Sequence, residues 1–243
     1  MEARLEYKYL VSNDKLEHLR KDIIPYLDYD PFAAKMENKE YVVRSIYYDT
    51  RKFKCYYEKL EGKEVRNKYR IRGYNYLNDD SKVFLEIKRK NENIISKDRG
   101  LIYYNKLGGL FENKNIDLLF SESEKIQHNK DCITKFMFNY YILKLSPVLL
   151  IVYNREAFQC KFKSSLRITF DRQLRSSVEN SCAGLFNDDN LVCSMPNYFV
   201  LEVKFHMVIP DWVPKIIRKY NLQRTSVSKY AICFDKHKRK FQI

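Results

Sequence analysis

The run Arg66-Asn67-Lys68-Tyr69-Arg70-Ile71-Arg72 alternates long cations with apolar or neutral residues. That period of two is the signature of a β-strand with two unlike faces. Arg66, Lys68, Arg70 and Arg72 share one face, and Tyr69 and Ile71 share the other. Same-face neighbours in a strand sit about 7 Å apart, so four like charges stand in a row. Their repulsion is tolerable only where solvent or an anion screens it.

Working outward, the same alternation recurs. Residues 4–11 set Arg4, Glu6 and Lys8 against Leu5, Tyr7, Tyr9 and Val11. Residues 82–90 set Lys82, Glu86, Lys88 and Lys90 against Val83, Leu85 and Ile87. Residues 165–171 set Arg167, Thr169 and Asp171 against Leu166, Ile168 and Phe170. Residues 198–206 set Glu202, Lys204 and His206 against Phe199, Leu201, Val203 and Phe205. Composition and pattern predict further strands at 41–48, 94–103, 148–155, 157–163 and 229–234. Helical spacing predicts helices at 14–27 after a Ser12-Asn13 cap, at 51–61 stopped by Gly62, at 131–143, and at 211–220 with Pro214 in its first turn. Strands outnumber helices, which reads as antiparallel α+β. No linker or repeat breaks the chain, so one domain over residues 1–243 is expected, with loops at 76–81 and 176–190.

The 243 residues carry 45 Lys and Arg against 31 Asp and Glu, a net charge of +14. So large an excess calls for a polyanionic partner: nucleic acid, an anionic membrane face or a phosphorylated small molecule. No RRM, KH, zinc-finger or helix-turn-helix pattern appears, and the aromatics alternate toward the apolar faces, away from base stacking, so nucleic acid is not the expected partner. The longest apolar run, 145–153, is too short to span a bilayer, and the charged N-terminus has no signal-peptide core. The six cysteines include no C-x-x-C and no zinc spacing. A cytoplasmic chain with reduced thiols is the expectation.

Two readings of the cationic faces follow. One is a basic sheet face in contact with water. The other is a closed barrel turned inside out, with charged faces lining a lumen and apolar faces packed against outer helices; such a lumen would hold a linear polyanion, its phosphates met by arginine forks and mobile lysines. A second pattern, Glu-x-Lys on one strand face, occurs three times: Glu6-x-Lys8, Glu86-x-Lys88 and Glu202-x-Lys204. Metal-assisted phosphoryl transfer wants both partners, since carboxylates hold Mg²⁺ or Mn²⁺ and cations hold phosphate.

An ordered set of short motifs resembles a known family. Glu6-Tyr7-Lys8-Tyr9, Ser45-Ile46-Tyr47-Tyr48-Asp49-Thr50, Lys68-Tyr69-Arg70-Ile71-Arg72, Phe84-Leu85-Glu86-Ile87-Lys88, Tyr153-Asn154-Arg155, Arg167-Ile168-Thr169-Phe170-Asp171, Leu201-Glu202-Val203-Lys204 and Ser228-Lys229-Tyr230 occur in this order. The set is similar to the VTC domain, the polyphosphate polymerase domain of the vacuolar transporter chaperone, within the triphosphate tunnel metalloenzymes. The resemblance spans about residues 4 to 235. It implies an antiparallel eight-stranded closed β-barrel, the triphosphate tunnel fold, with helices packed on the outside. It places catalytic cations at Lys8, Arg70, Arg72, Lys88, Arg155, Arg167 and Lys229. It places substrate contacts at Ser228 and at Lys97, for which Arg99 competes; Lys90 and Lys204 join them from the basic strand faces. Glu202 is the metal ligand that it implies, with Glu6 or Glu86 as its companion carboxylate.

The implied reaction is metal-dependent transfer, with Mn²⁺ or Mg²⁺, of the γ-phosphoryl group of ATP to a polyphosphate end. Partners are ATP, inorganic polyphosphate and pyrophosphate or triphosphate, and a separate membrane partner is compatible with the sequence. The wider superfamily often has Glu-x-Glu-x-Lys on its first strand. Here Arg4 replaces the first Glu, which weighs against the competing hydrolase of triphosphate or polyphosphate. A non-catalytic polyphosphate-binding module is the third class. Asp49 is expected to cap the helix near residue 51, His206 to be structural, and Tyr47, Tyr48 and Tyr69 to be core.

Overall fold

Alternation builds the sheet. The computed structural model describes residues 4–91, 94–112, 127–162 and 164–241. Among them are ten strands: β1 (Arg4–Ser12), β2 (Leu27–Tyr29), β3 (Tyr41–Asp49), β4 (Arg66–Tyr74), β5 (Lys82–Asn91), β6 (Ile94–Tyr103), β7 (Ser146–Cys160), β8 (Arg167–Val178), β9 (Val192–Cys193) and β10 (Tyr198–His206). Seven α-helices accompany them: α1 (Leu16–Ile23), α2 (Pro31–Lys35), α3 (Lys54–Leu60), α4 (Leu107–Glu112), α5 (Gln127–Ile142), α6 (Trp212–Lys219) and α7 (Lys229–His237).

The expected eight-stranded closed barrel is not formed. The ten strands make one antiparallel sheet in the order β1-β10-β8-β7-β3-β4-β5-β6, with β2 on β7 and β9 on β8, and the path ends at β1 and β6 without closing. Each end has another partner for its backbone. Beside β1, Arg224 bridges Tyr9 and the Thr225 N–H donates to the Lys8 carbonyl at 2.9 Å. Beside β6, the Asn129 side chain of α5 accepts from the Leu101 N–H at 2.5 Å and donates to its carbonyl at 2.9 Å. Side-chain and loop groups thus meet edge donors and acceptors that another strand would otherwise occupy.

Other expectations also needed correction. Residues 229–234 are not a strand but the start of α7, whose buried Tyr230, Cys233, Phe234 and His237 follow helical spacing. The strands expected at 148–155 and 157–163 are one strand, β7, and residue 163 lies outside the described residues. The helix expected over 14–27 ends at Ile23, and β2 begins at Leu27. The short α2 went unforeseen, though Asp30 caps it through the Phe32 and Ala33 N–H groups and Pro31 opens it. Asp49 does cap the helix that follows it, accepting from the Cys55 and Tyr56 N–H groups.

Contacts divide the chain into two units. In the first (Met1–Val42, Val152–Arg175, Cys193–Lys229), the apolar strand faces carry the core. Tyr9, Val11, Ile168, Phe170, Leu201, Val203 and Phe205 pack against Leu16, Leu19 and Ile23 of α1 and Val213 of α6. Burying each such side chain is worth about 1.5–3 kcal/mol. In the second (Val43–Ile151, Ser176–Val192, Tyr230–Ile243), Tyr48 and Tyr69 meet Phe136 of α5 edge-on, beside buried Ile71, Leu85 and Ile87. None of the six cysteines forms a disulfide. No helix among the described residues is long and apolar enough to cross a membrane.

The seat of α5 on β6 depends on a missing side chain. A Cβ on Gly100 would collide with Ile133 Cγ1 and lie 3.0 Å from the Ile133 backbone nitrogen. Gly100→Ala is therefore expected to destabilise the protein by about 1–3 kcal/mol through overpacking. Thermal unfolding followed by circular dichroism checks it, and an unchanged Tm would refute this packing.

Candidate functional site

The basic strand faces are partly buried. In each unit they converge on buried carboxylates, and each group is described in turn.

In the second unit the register aligns Arg70 of β4, Glu86 of β5 and Arg99 of β6 as one rung; Lys68, Lys88 and Lys97 form the next. Arg66 and Lys90 pair one rung further on. The Glu86 side chain is wholly buried, and four cations reach it. On Oε2, Arg70 lies at 2.7 Å and Arg72 at 4.0 Å. On Oε1, Lys97 lies at 2.8 Å and Arg99 at 3.1 Å. Tyr47 accepts from Arg70 at 2.9 Å, and the Ser45 hydroxyl accepts from Arg72 at 3.1 Å. Among the described residues, four positive charges thus stand against one negative. Burial alone would push the Glu86 carboxyl up, but Arg70, Arg72 and Lys97 hold it well below the usual carboxylate range. Lys97 is shifted down, because burial outweighs the pull of Glu86.

In the first unit the register places Lys8 beside Glu202 and Glu202 beside Thr169. Lys229 lies 2.9 Å from Glu202 Oε1 and 2.5 Å from Asp171 Oδ2. Lys204 lies 2.8 Å from Glu202 Oε2, and Lys8 lies 3.1 Å from Glu6 and 3.5 Å from Glu202. Arg155 grips Asp171 with both arms, at 2.6 and 2.7 Å, and reaches Glu202 at 3.5 Å. The Tyr153 ring lies beneath both Arg155 and Lys229. Four cations against Glu6, Asp171 and Glu202 leave +1. Burial opposes ionisation of Glu202, but Lys204, Lys229, Lys8 and Arg155 overcome it, and its carboxyl sits well below the usual range. Asp171 is lowered against the same burial, first by Arg155 and then by Lys229. Lys229 is raised despite burial, held by Asp171 and Glu202. Lys204 is lowered, with burial the larger cause.

The sequence-predicted residues thus fall into separate sets. Arg70, Arg72, Lys97 and Glu86 meet in one unit; Glu6, Lys8, Arg155, Glu202, Lys204 and Lys229 meet in the other. Lys88 and Lys90 share the Glu86 face one and two rungs away. Ser228 is buried just ahead of Lys229. Arg167 turns to Asp30 at 2.7 Å and to the Tyr41 hydroxyl at 3.4 Å. Lys97 and Arg99 both lie on Glu86.

Sequence reasoning missed Asp171, Tyr153, Asp30 and Thr169 as members of these groups. The alternation that aligned Arg167, Thr169 and Asp171 was the available signal for two of them. The Thr169 hydroxyl is buried and has no hydrogen-bond partner among the described residues. No cluster of three or more His, Cys, Asp or Glu side chains among the described residues is arranged to hold a metal by itself.

The chain as a whole is similar to known proteins. The family model described as VTC domain matches residues 3–237. "Vacuolar transporter chaperone complex subunit 4" of Trypanosoma brucei brucei (strain 927/4 GUTat10.1) is 28% identical over 271 residues, covering 94% of this chain and 33% of that protein. The protein of the same description from Trypanosoma cruzi (strain CL Brener) is 26% identical over 265 residues, with 94% and 33% covered. The chain therefore spans about a third of the length of these curated relatives. Among solved structures, the PH1819 protein from Pyrococcus horikoshii OT3 overlaps with a TM-score of 0.48 at 15% identity, covering 96% of this chain and 99% of that one.

The depressed carboxyls fix the direction of the acid response. A carboxylate lowered on folding stabilises fully above its unfolded value, about 4 for Asp and Glu, and loses that contribution as pH falls through its folded value. Stability is expected to decline below about pH 4 as Glu86, Glu202 and Asp171 take up protons, monitored by circular dichroism across an acid titration. Glu86→Gln removes the charge of the buried carboxylate that four cations share and is expected to cost about 3–5 kcal/mol at neutral pH. A variant as stable as the parent in urea would show that this carboxylate does not hold the group together.

Proposed function

The chain belongs to the VTC domain family, and from that premise we propose that it is a phosphotransferase that builds inorganic polyphosphate from ATP. The γ-phosphorus of ATP leaves its bridging oxygen, which departs with the bonding pair as ADP, and bonds to a terminal oxygen of the growing chain. That oxygen is already anionic at neutral pH, so no side-chain base is needed to expose it. Catalysis then rests on alignment and on charge stabilisation.

One observation carries the reading: a fully buried Glu86 ringed by Arg70, Arg72, Lys97 and Arg99. A cation excess inside a protein favours a bound polyanion, and arginine forks match phosphate oxygens two at a time. In this reading Arg70, Arg72, Lys88, Lys90 and Lys97 hold phosphates in one unit. Lys8, Arg155, Arg167, Lys204, Ser228 and Lys229 hold them in the other.

Mn²⁺ or Mg²⁺ fits the first unit in its donor chemistry. Such ions take hard oxygen ligands, commonly one or two carboxylates completed by substrate phosphates. Glu202, with Glu6 beside the shared Lys8, would hold the ion. Glu86, inside its ring of four cations, serves better as a counter-ion. When bound, the metal supplies Lewis-acid charge to the phosphate oxygens. Lys229 and Lys204 keep Glu202 ionised and hold its carboxylate in place.

The deciding experiment incubates the purified protein with ATP and Mn²⁺ and resolves products by chain length. Lengthening chains with matching ADP are expected; free phosphate without chains would overturn the polymerase reading in favour of hydrolysis. Arg70→Ala is expected to slow synthesis about 100–1,000-fold, the usual cost of a lost transition-state charge contact. An unchanged rate would remove Arg70 from the mechanism. Chelation of the metal is expected to stop synthesis while tripolyphosphate, measured by calorimetry, still binds.

A further inference from the structure

The four cations on Glu86 are not equivalent. Arg70 and Arg72 share Oε2, and their side chains are only 16% and 7% exposed. Lys97 and Arg99 share Oε1, and their side chains are 39% and 34% exposed. The first pair is tied to β3 through Tyr47 and Ser45. The second pair lies on β6, at the end of the strand path, and is the more accessible of the two to an incoming anion.

Arg99 is also held in a way that Lys97 is not. Its guanidinium carbon stands 3.4 Å from the centre of the Phe84 ring, and one terminal nitrogen donates to the Tyr74 hydroxyl at 3.0 Å. Phe84 and Tyr74 are themselves packed edge to face. Stacking of this kind fixes the plane of the fork, which lysine cannot reproduce. Its Nε is buried and lies 3.1 Å from Glu86 without a well-directed hydrogen bond. The geometry is that of an ion pair between two held groups and does not require Arg99 to remain on the carboxylate.

We propose that Arg99 is a substrate-binding residue that, with Lys97, receives a phosphate group of the polyanion on the Oε1 side of Glu86, its guanidinium preset by Phe84 and Tyr74. Glu86 acts as the resident anion of this subsite and keeps Arg70 when phosphate draws Lys97 and Arg99 away. The proposal rests on the phosphate-binding reading above and adds to it which edge of the group admits the ligand.

The test measures tripolyphosphate affinity of the full chain by calorimetry at fixed ionic strength, with Tm recorded for every variant. Arg99→Gln is expected to weaken binding at least tenfold with its Tm near that of the parent. Arg99→Lys is expected to recover part of the loss, because charge returns without the planar fork. Tyr74→Phe, which keeps the packing and removes the hydroxyl, is expected to weaken binding by a smaller factor. Parent-like affinity in folded Arg99→Gln overturns the proposal. If Arg99→Gln fails to fold, the side-chain Nε–H resonance of Arg99 in the unmodified protein, assigned with Arg99→Lys, decides; no shift on adding tripolyphosphate overturns the proposal. Failure of the unmodified protein to bind tripolyphosphate would instead overturn the phosphate-binding reading itself.

Discussion

Rows of like charge on neighbouring strands can exist inside this protein because a few carboxylates are buried among them. Glu86 draws in Arg70, Arg72, Lys97 and Arg99, and Glu202 with Asp171 draws in Lys8, Arg155, Lys204 and Lys229. Each carboxylate is expensive to bury, and each is kept charged by the cations it organises. Among the described residues, cations outnumber carboxylates in both groups. A fold optimised for stability alone would exchange such a group for apolar side chains, so retaining it is sensible where the surplus charge is used.

The opposite faces of the same strands do the ordinary work of folding. Tyr9, Val11, Leu201, Val203 and Phe205 bury against α1 and α6, while Tyr69, Ile71, Leu85 and Ile87 lie on the apolar side of β4 and β5. Because a strand's side chains alternate strictly, fixing the apolar face fixes the charged one. Slippage by one residue would drive Arg70 and Arg72 into the apolar side and expose Ile71. The core therefore sets the position of the charged groups.

That coupling explains what could be read from the chain. The half-buried strands β1, β4, β5 and β10 alternate cleanly, and the Glu-x-Lys repeats on three of them led directly to Glu6, Glu86 and Glu202. β7 was less legible, since Arg155-Glu156 interrupts its apolar run and reads as a break. In the structure both residues are buried on a continuous strand, Arg155 on Asp171 and Glu156 on Arg20 and Arg172. The start of α7 misled because Tyr230, Ile232 and Phe234 alternate as a strand would, whereas the buried set at 230, 233, 234 and 237 steps by three and four. Barrel closure lay beyond pattern reading altogether: alternation states which way side chains point and is silent on what the outermost strands pair with.

The pairing of residues 224 and 225 with β1 has an effect beyond local geometry. This stretch covers part of a strand rim that would otherwise invite a second molecule to add its own strand. It also leads, three residues later, into Ser228 and Lys229. Cover for the β1 edge and the position of the Lys229 ammonium are thus tied to one short stretch. Lengthening it would loosen both at once.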